Sequence, residues 1–89
     1  SPGEDPAAAL SRAVAVGHVN GPSAGLKATE PLRTALSGTH RWHAVRAYLH
    51  EMNHEPATAA TAYAEAAGLA TSRAERDHLI RQAARLRHA

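Results

Sequence analysis

Two pairs of histidines have the spacing of metal ligands on a helix. His40 and His43 are three residues apart, and His50 and His54 are four apart. On a helix both spacings put two imidazoles on one face. However, His54 falls at a predicted helix end, and no carboxylate or third ligand obviously converges on either pair. We interpret these histidines as surface or capping residues and expect neither a metal nor a cofactor, with a metal or small-molecule sensor as the less favoured alternative.

Two arginines lie 34 residues apart, at Arg12 and Arg46. They could contact a partner or form a bidentate clamp on an acidic group. They could instead pair with carboxylates of neighbouring helices, for example Glu30 or Glu65, and so lock a helical hairpin. We favour the second interpretation.

The last predicted helix is rich in arginine: Arg73, Arg76, Arg81, Arg85 and Arg87. Arg81, Arg85 and His88 share one helical face and could contact phosphates. Glu75 and Asp77 interrupt this charge, and no aromatic residues lie between the arginines to stack on bases. A solvated helix face is therefore favoured over a nucleic-acid surface.

Motifs for catalysis are missing from the sequence. It has no Ser/His/Asp order with a nucleophile elbow, no glycine-rich phosphate loop and no paired carboxylates in an apolar setting. We expect that the protein is not an enzyme.

The composition predicts a small all-helical domain. The chain has 89 residues, 22 of them alanine, with no cysteine, no phenylalanine and a formal charge of +2. Alanine is the best helix former, and its small side chain lets helices approach closely. The lack of cysteine excludes a disulfide framework and a cysteine-ligated zinc site.

Neither a membrane span nor a signal peptide is recognisable in the sequence. No apolar run approaches the ~20 residues that a spanning helix needs, so we expect a cytoplasmic protein without membrane contact. Residues 1–5 read as a flexible lead-in and residues 6–89 as one domain. Because the chain begins with Ser1, we interpret it as the C-terminal piece of a longer protein.

The stretch LSRAVAVGHVNGP, at Leu10–Pro22, has two interpretations. Its Ala-Val alternation followed by Asn20-Gly21 is typical of a β-hairpin. Alternatively, it is the second half of a helix that begins after the capping residue Asp5 and ends at Gly21. The chain has no second β-branched run to pair with a strand, so we predict a helix.

Four further helices follow in the prediction. The second begins at Pro22 and ends or bends at Pro31, Thr39 caps the third, and Pro56 begins the fourth. Ser72 caps the fifth in a capping box with Glu75. The predicted core residues are Trp42, Val45, Leu49 and Met52 in the third helix, Ala59, Tyr63 and Ala66 in the fourth, and Leu79, Ile80, Ala83 and Leu86 in the fifth.

The chain repeats weakly with a period of 34 residues. The shift aligns Asp5 with Thr39, Arg12-Ala13 with Arg46-Ala47, Pro22 with Pro56 and Ala28 with Ala62. Thirty-four residues is the period of tetratricopeptide repeats, in which each repeat is a pair of antiparallel helices. We therefore predict two tetratricopeptide-like hairpins and a C-terminal helix that caps the second.

Three runs of the sequence resemble a known family. They are AAALSRAVAVGHVNGPSAGL, RWHAVRAYL and AATAYAEAAGLATSRAERDHLIRQAARL, which together cover about Ala7 to Leu86. They are similar to the tetratricopeptide-like C-terminal extension of bacterial extracytoplasmic-function RNA polymerase sigma factors. The most specific parts are Arg-Ala-Val-Ala-Val with the following Gly21-Pro22, and His-Ala-x-Arg-Ala-x-Leu at His43–Leu49.

Some positions depart from the family pattern. Ser11 stands where asparagine is usual, Asn20 where an acidic residue is common, and Asn53-His54 where Gly-Arg is expected. These changes fall at caps and turns. The residues that we assign to the structural motif are Arg12, Ala13, Gly21, Pro22, His43, Arg46, Ala47 and Tyr63.

The resemblance implies a regulatory domain that controls transcription initiation through protein contacts. The expected partners are the sigma factor's own promoter-binding domains or RNA polymerase, and only the full-length parent would contact DNA. The alternative is a free-standing peptide-binding adaptor. We expect this piece to be a monomer.

In tetratricopeptide arrays the first helix of each pair lines a concave groove. The predicted groove residues are Leu10, Val14 and His18 from the first helix and Arg41, Tyr48 and Glu51 from the third. Tyr48 lies off the apolar stripe of its helix, where it could anchor a partner or pack on the fifth helix. Both possibilities stay open at this point.

Overall fold

The computed structural model describes residues 3–89 and is all-helical within them. Its five main helices are α1 (Pro6–Asn20), α2 (Pro22–Thr29), α3 (His40–Met52), α4 (Pro56–Leu69) and α5 (Arg73–Arg87). A 3₁₀ turn at Glu30–Leu32 and one helical turn at Arg33–Leu36 connect α2 to α3. The Ala-Val alternation lies inside α1, so the β-hairpin alternative is excluded. No helix among the described residues has the length and apolar character needed to cross a membrane.

Local sequence signals set where the helices begin. The Asp5 carboxylate accepts a hydrogen bond from the backbone N–H of Ala7 at 3.3 Å, and Pro6 follows it. The hydroxyl oxygen of Ser72 accepts from the N–H of Glu75 at 3.1 Å, as the capping box predicted. Thr39 is at the N-cap of α3, but its hydroxyl donates to the carbonyl of Leu36 at 2.7 Å. Thr39 therefore occupies the predicted N-cap position, but its side chain makes no capping hydrogen bond.

The breaks between helices also follow the sequence. Gly21 separates α1 from α2 with a φ of +98°, a backbone conformation that glycine adopts easily. Pro31 lies in the 3₁₀ turn that ends α2, where a bend was predicted. Pro22 and Pro56 are the first residues of α2 and α4, so these two helices begin 34 residues apart, as the repeat requires.

The helices form two antiparallel hairpins in succession. Helix α1 packs on α2 and α3 packs on α4, while α3 also packs on α2 and joins the two hairpins. Helix α5 packs on α4, as the predicted cap does. Each helix therefore contacts mainly its neighbours in the sequence, which is the arrangement of stacked helical repeats.

The first hairpin depends on a close crossing of two glycine-containing helices. A Cβ atom on Gly25 would lie 2.9 Å from the Ala13 carbonyl oxygen and 3.0 Å from the Cα of Gly17. A Cβ on Gly17 would lie 2.5 Å from Cδ2 of Leu49. The missing side chains thus leave space for Leu49, which is completely buried. This contact seats α3 against the α1–α2 hairpin.

The second hairpin and α5 share an alanine-rich core. Its buried members are Ala47, Ala59, Ala60, Tyr63, Ala66, Ala67, Leu79, Ala83 and Leu86. The predicted burial of Ile80 is wrong, because its side chain is 51 % exposed. Leu79 and Ile80 are adjacent and point about 100° apart on a helix, and α4 packs against the side that carries Leu79.

The predicted lead-in, residues 1–5, falls partly within the described structure. Glu4 accepts a hydrogen bond from Arg12 at 2.7 Å, and Asp5 caps α1. Residues 1 and 2 lie outside the described residues.

Replacing Gly25 by alanine tests the helix crossing. Alanine favours a helix over glycine by about 1 kcal/mol, but the new Cβ would clash with backbone atoms of α1. We expect Gly25→Ala to lower the free energy of unfolding by about 1–3 kcal/mol, measured by urea denaturation. Gly68→Ala in α4 is the matched control, since a Cβ there meets nothing within 4 Å, and it should be neutral or stabilising. Equal stability of both variants would refute the steric argument.

Candidate functional site

A groove lies between the first helices of the two hairpins and α5. It has a volume of about 250 Å³, and Val14 of α1, Val45 and Tyr48 of α3, and His78 and Leu79 of α5 line it. Its floor and rim are completed by Ala44, Tyr63 and Glu75. We call this surface the α1/α3/α5 groove. Most of its lining is apolar, with ionisable side chains at the rim, which is the composition of a protein-docking surface.

Tyr48 bridges the groove rather than packing only on α5. Its hydroxyl is 3.2 Å from Nε2 of His18 on α1, and the two rings are 5.9 Å apart. The side chain is 36 % exposed and also lines the groove beside His78 and Leu79. An aromatic ring held at one end and exposed on one face is the kind of residue that anchors a docked partner.

The other predicted groove residues have different surroundings. Leu10 is only 2 % exposed, so it supports the helix packing and offers little contact area to a partner. Arg41 is exposed and lines a separate hollow of about 460 Å³ with Leu10, Leu36 and Leu69. The structure therefore brings Val14, His18 and Tyr48 together and places Arg41 elsewhere.

Glu51, the sixth predicted residue, holds α3 to α5. Its carboxylate accepts a hydrogen bond from Nη2 of Arg85 at 3.0 Å. This bond is the main reason why the pKa of Arg85 is raised above its ordinary value. Burial, followed by the nearby Glu51 carboxylate, raises the pKa of Tyr63 at the groove floor. The Tyr63 phenol therefore stays protonated at neutral pH.

A second cluster joins α2 to α3 around a buried tryptophan. The ring N–H of Trp42 donates to the backbone carbonyl of Thr29 at 3.0 Å. Thr29 is itself fully buried, and its hydroxyl donates to the carbonyl of Leu26 at 2.7 Å and accepts from Arg46 at 2.8 Å. We call this cluster, with Glu30 and Arg33, the Trp42 clasp.

The two arginines of the Trp42 clasp share the single carboxylate of Glu30. Arg33 donates to both carboxylate oxygens of Glu30, at 2.9 and 3.0 Å, and Arg46 lies 3.2 Å from the same carboxylate. The guanidinium carbons of Arg33 and Arg46 are 4.6 and 4.9 Å from the centre of the Trp42 ring, within the range of a cation–π contact. Both arginines are thus engaged by Glu30 and Trp42, and the clasp serves to hold two helices together.

A cleft of about 350 Å³ beside the clasp contains two of the predicted histidines. Nε2 of His43 is 2.7 Å from the carbonyl oxygen of Ser37, and Nδ1 is 3.4 Å from the carboxylate of Glu65. Nδ1 of His50 is 3.1 Å from the carboxylate of Glu55. In residues 3–89 no three histidine, aspartate or glutamate side chains converge as metal ligands would.

The two arginines of the repeat have different partners. Arg46 pairs with Glu30, one of the two carboxylates considered from the sequence. Arg12 pairs with Glu4, just before its own helix, instead of a neighbouring helix. The repeat positions Ala13 and Ala47 are both fully buried.

Sequence reasoning gave no site role to three residues that matter here, and it placed one of them, Val45, only in the core. Arg33 was given no role, although it follows Glu30 by three residues, which is the spacing of a helical ion pair. Val45 and His78 line the groove from α3 and α5. Val45 lies six residues after the N-cap Thr39, and His78 lies six residues after the N-cap Ser72. Aligning α3 and α5 at their N-caps would therefore have placed these two residues at equivalent positions.

Comparison with known proteins gives no relative: no protein-family model, no curated protein and no solved structure matches the chain.

Replacing Thr29 by valine tests the buried polar contacts of the Trp42 clasp. The variant keeps the shape of the side chain but leaves Arg46 and the Leu26 carbonyl without their hydroxyl partner. We expect a loss of about 1–3 kcal/mol in the free energy of unfolding, measured by urea denaturation. Thr61→Val, on the exposed side of α4, removes a hydroxyl that donates to the Ala57 carbonyl of its own helix, and should change stability by less than about 0.5 kcal/mol.

The Glu30 carboxylate gives the clasp a dependence on pH. The hydrogen bond from Arg33, with the charge of Arg46, holds the pKa of Glu30 below its ordinary value of 4.5. A carboxyl group whose pKa is lower in the folded state than in the unfolded state stabilises the fold at pH values above its unfolded-state pKa. This stabilisation is lost as the pH falls through the folded-state pKa. We expect the stability difference between wild type and Glu30→Gln to shrink below about pH 4.5 in thermal melts.

The stability difference between wild type and the partner variant Arg33→Gln should shrink in the same pH range. Part of the acid dependence should remain in both variants, because hydrogen bonds from Asn53 and His50 also lower the pKa of Glu55. A difference that stays constant from pH 7 to 3 would contradict the assignment.

Proposed function

We propose that this chain is a protein-docking domain which regulates transcription initiation as the C-terminal extension of a sigma factor. It docks on the sigma factor's own promoter-binding domains or on RNA polymerase, and it contributes no promoter contacts itself. The resemblance of residues 7–86 to such extensions supports the assignment of the parent protein. The α1/α3/α5 groove supports docking as the mode of action.

The observation that carries the proposal is the position of Tyr48 in this groove. Its ring is tethered to His18 across the groove and flanked by Val14, Val45 and Leu79. A partner that covers the exposed part of the ring would gain buried apolar area at little entropic cost, since the ring is already oriented. The histidines and Glu75 at the rim supply polar contacts that would set the orientation of the partner.

The charge distribution favours a protein partner over nucleic acid. Arg33 and Arg46 are paired with Glu30, and Arg85 is paired with Glu51. The groove carries Glu75 on its rim and no arginine or lysine in its lining. A phosphate backbone would need several free cations along its path, whereas an apolar groove with a mixed rim suits a peptide or a folded domain.

Tyr48→Ala tests the groove directly. Truncating an anchoring aromatic residue should weaken binding to the parent's promoter-binding domains or to core polymerase by about 5- to 30-fold. Titration calorimetry measures this loss, and transcription from a cognate promoter should change with it. The control is Thr58→Ala, on the exposed side of α4 and away from the groove. It should change neither binding nor transcription, and circular dichroism should show the same helix content in both variants.

Deleting residues 6–89 from the parent tests the assignment to transcription. Unchanged promoter activity together with unchanged polymerase binding would refute it. If the groove then still bound a peptide in a Tyr48-dependent way, the chain would be a peptide-binding adaptor without a role in transcription.

A further inference from the structure

The outer face of α5 is built like the first helix of a third hairpin. The N-caps of α1, α3 and α5 are Asp5, Thr39 and Ser72. Counting eight residues from each cap gives Ala13, Ala47 and Ile80. Ala13 and Ala47 are fully buried where the first helix of each complete hairpin meets its second helix, whereas Ile80 is 51 % exposed.

A shallow groove beside Ile80 has a lining on which a helix could pack. It has a volume of about 280 Å³, and its lining residues are Ala64, Ala67 and Gly68 of α4 and Arg76, Ile80, Ala83 and Arg87 of α5. The floor consists of small side chains, which allow two helices to approach closely. Ile80 projects from the same surface, as an apolar anchor does.

The charges at the ends of this groove point to an acidic occupant. Arg76 lies four residues after its N-cap, as His43 does in α3. In the complete hairpin, His43 is 3.4 Å from Glu65, a carboxylate on the second helix. Among the described residues the arginines in ion pairs are Arg12, Arg33, Arg46 and Arg85. Arg76 and Arg87 are therefore available to pair with acidic side chains of an incoming helix.

We propose that the α4/α5 groove binds an acidic amphipathic helix from a partner protein, in the place of the second helix of a third hairpin. The carboxylates of this helix pair with Arg76 and Arg87, and its apolar side chains cover Ile80 and the alanine floor. A second copy bound symmetrically through the same face does not fit, because it would bring four arginines together without a carboxylate in the groove. This inference does not depend on the role in transcription.

Fluorescence anisotropy with a defined probe tests the inference. The probe is a labelled 16-residue peptide of leucine, alanine and glutamate, with its apolar residues at helical spacing. The control peptide has lysine at every glutamate position. The glutamate probe should bind saturably and the lysine peptide should not. The helix content of the glutamate probe, measured by circular dichroism, should rise on binding.

Matched variants locate the binding face. Ile80→Ser and the double variant Arg76→Ser/Arg87→Ser should each weaken binding about tenfold or more. The double variant Arg73→Ser/Arg81→Ser removes the same charge from α5 outside the groove and should change binding less than about twofold. Because Ile80 and these arginines are exposed, all variants are expected to fold.

Several results would overturn the inference. One is the absence of saturable binding of the glutamate probe. Another is an equal loss of binding in the two double arginine variants. A third is a loss of binding caused by Tyr48→Ala and not by Ile80→Ser. A dimer in sedimentation that Ile80→Ser dissociates would also overturn it, since a second copy would then be the occupant.

Discussion

The close approach of α1 and α2 at Gly17 and Gly25 is the constraint on which the other helices depend. Without side chains at these two positions, the hairpin leaves a space that Leu49 fills completely. This contact fixes the position of α3 relative to the first hairpin. Helix α3 in turn carries Trp42 on one side and Tyr48 on another. The crossing of two helices thus positions both the clasp and the groove.

The molecule separates the residues that hold it together from those that are open to a partner. On the α2–α3 side, Trp42 and Arg46 donate hydrogen bonds to Thr29, and Arg46 also forms an ion pair with Glu30. The hydrogen bond from Trp42 to Thr29 is buried and the one from Arg46 to Thr29 is partly buried, and an unmade hydrogen bond is costly in such surroundings. The α1/α3/α5 side carries an apolar lining with Tyr48 partly exposed. A substitution in the α1/α3/α5 groove can therefore alter binding without disrupting the packing of α2 on α3.

The sequence predicts the helices much better than it predicts their rotation. The prolines Pro22 and Pro56 begin helices as expected because a fixed φ and a missing N–H act locally. The burial of Ile80 was predicted wrongly, since hydrophobic spacing cannot distinguish adjacent apolar residues before the neighbouring helix is placed. The Trp42 clasp and the pairing of Arg12 with Glu4 depend on side chains that only the fold brings together. No local pattern reports such distances.

The one-residue connection at Gly21 has a consequence for the rate of folding. Helices α1 and α2 meet at the crossing of Gly17 and Gly25, eight residues apart in the chain, so little loop entropy opposes their docking. Most other contacts also join consecutive helices, and chains dominated by such local contacts fold within microseconds to milliseconds. We expect the α1–α2 turn to form early and the outer helix α5 to exchange its amide protons before the inner helices do.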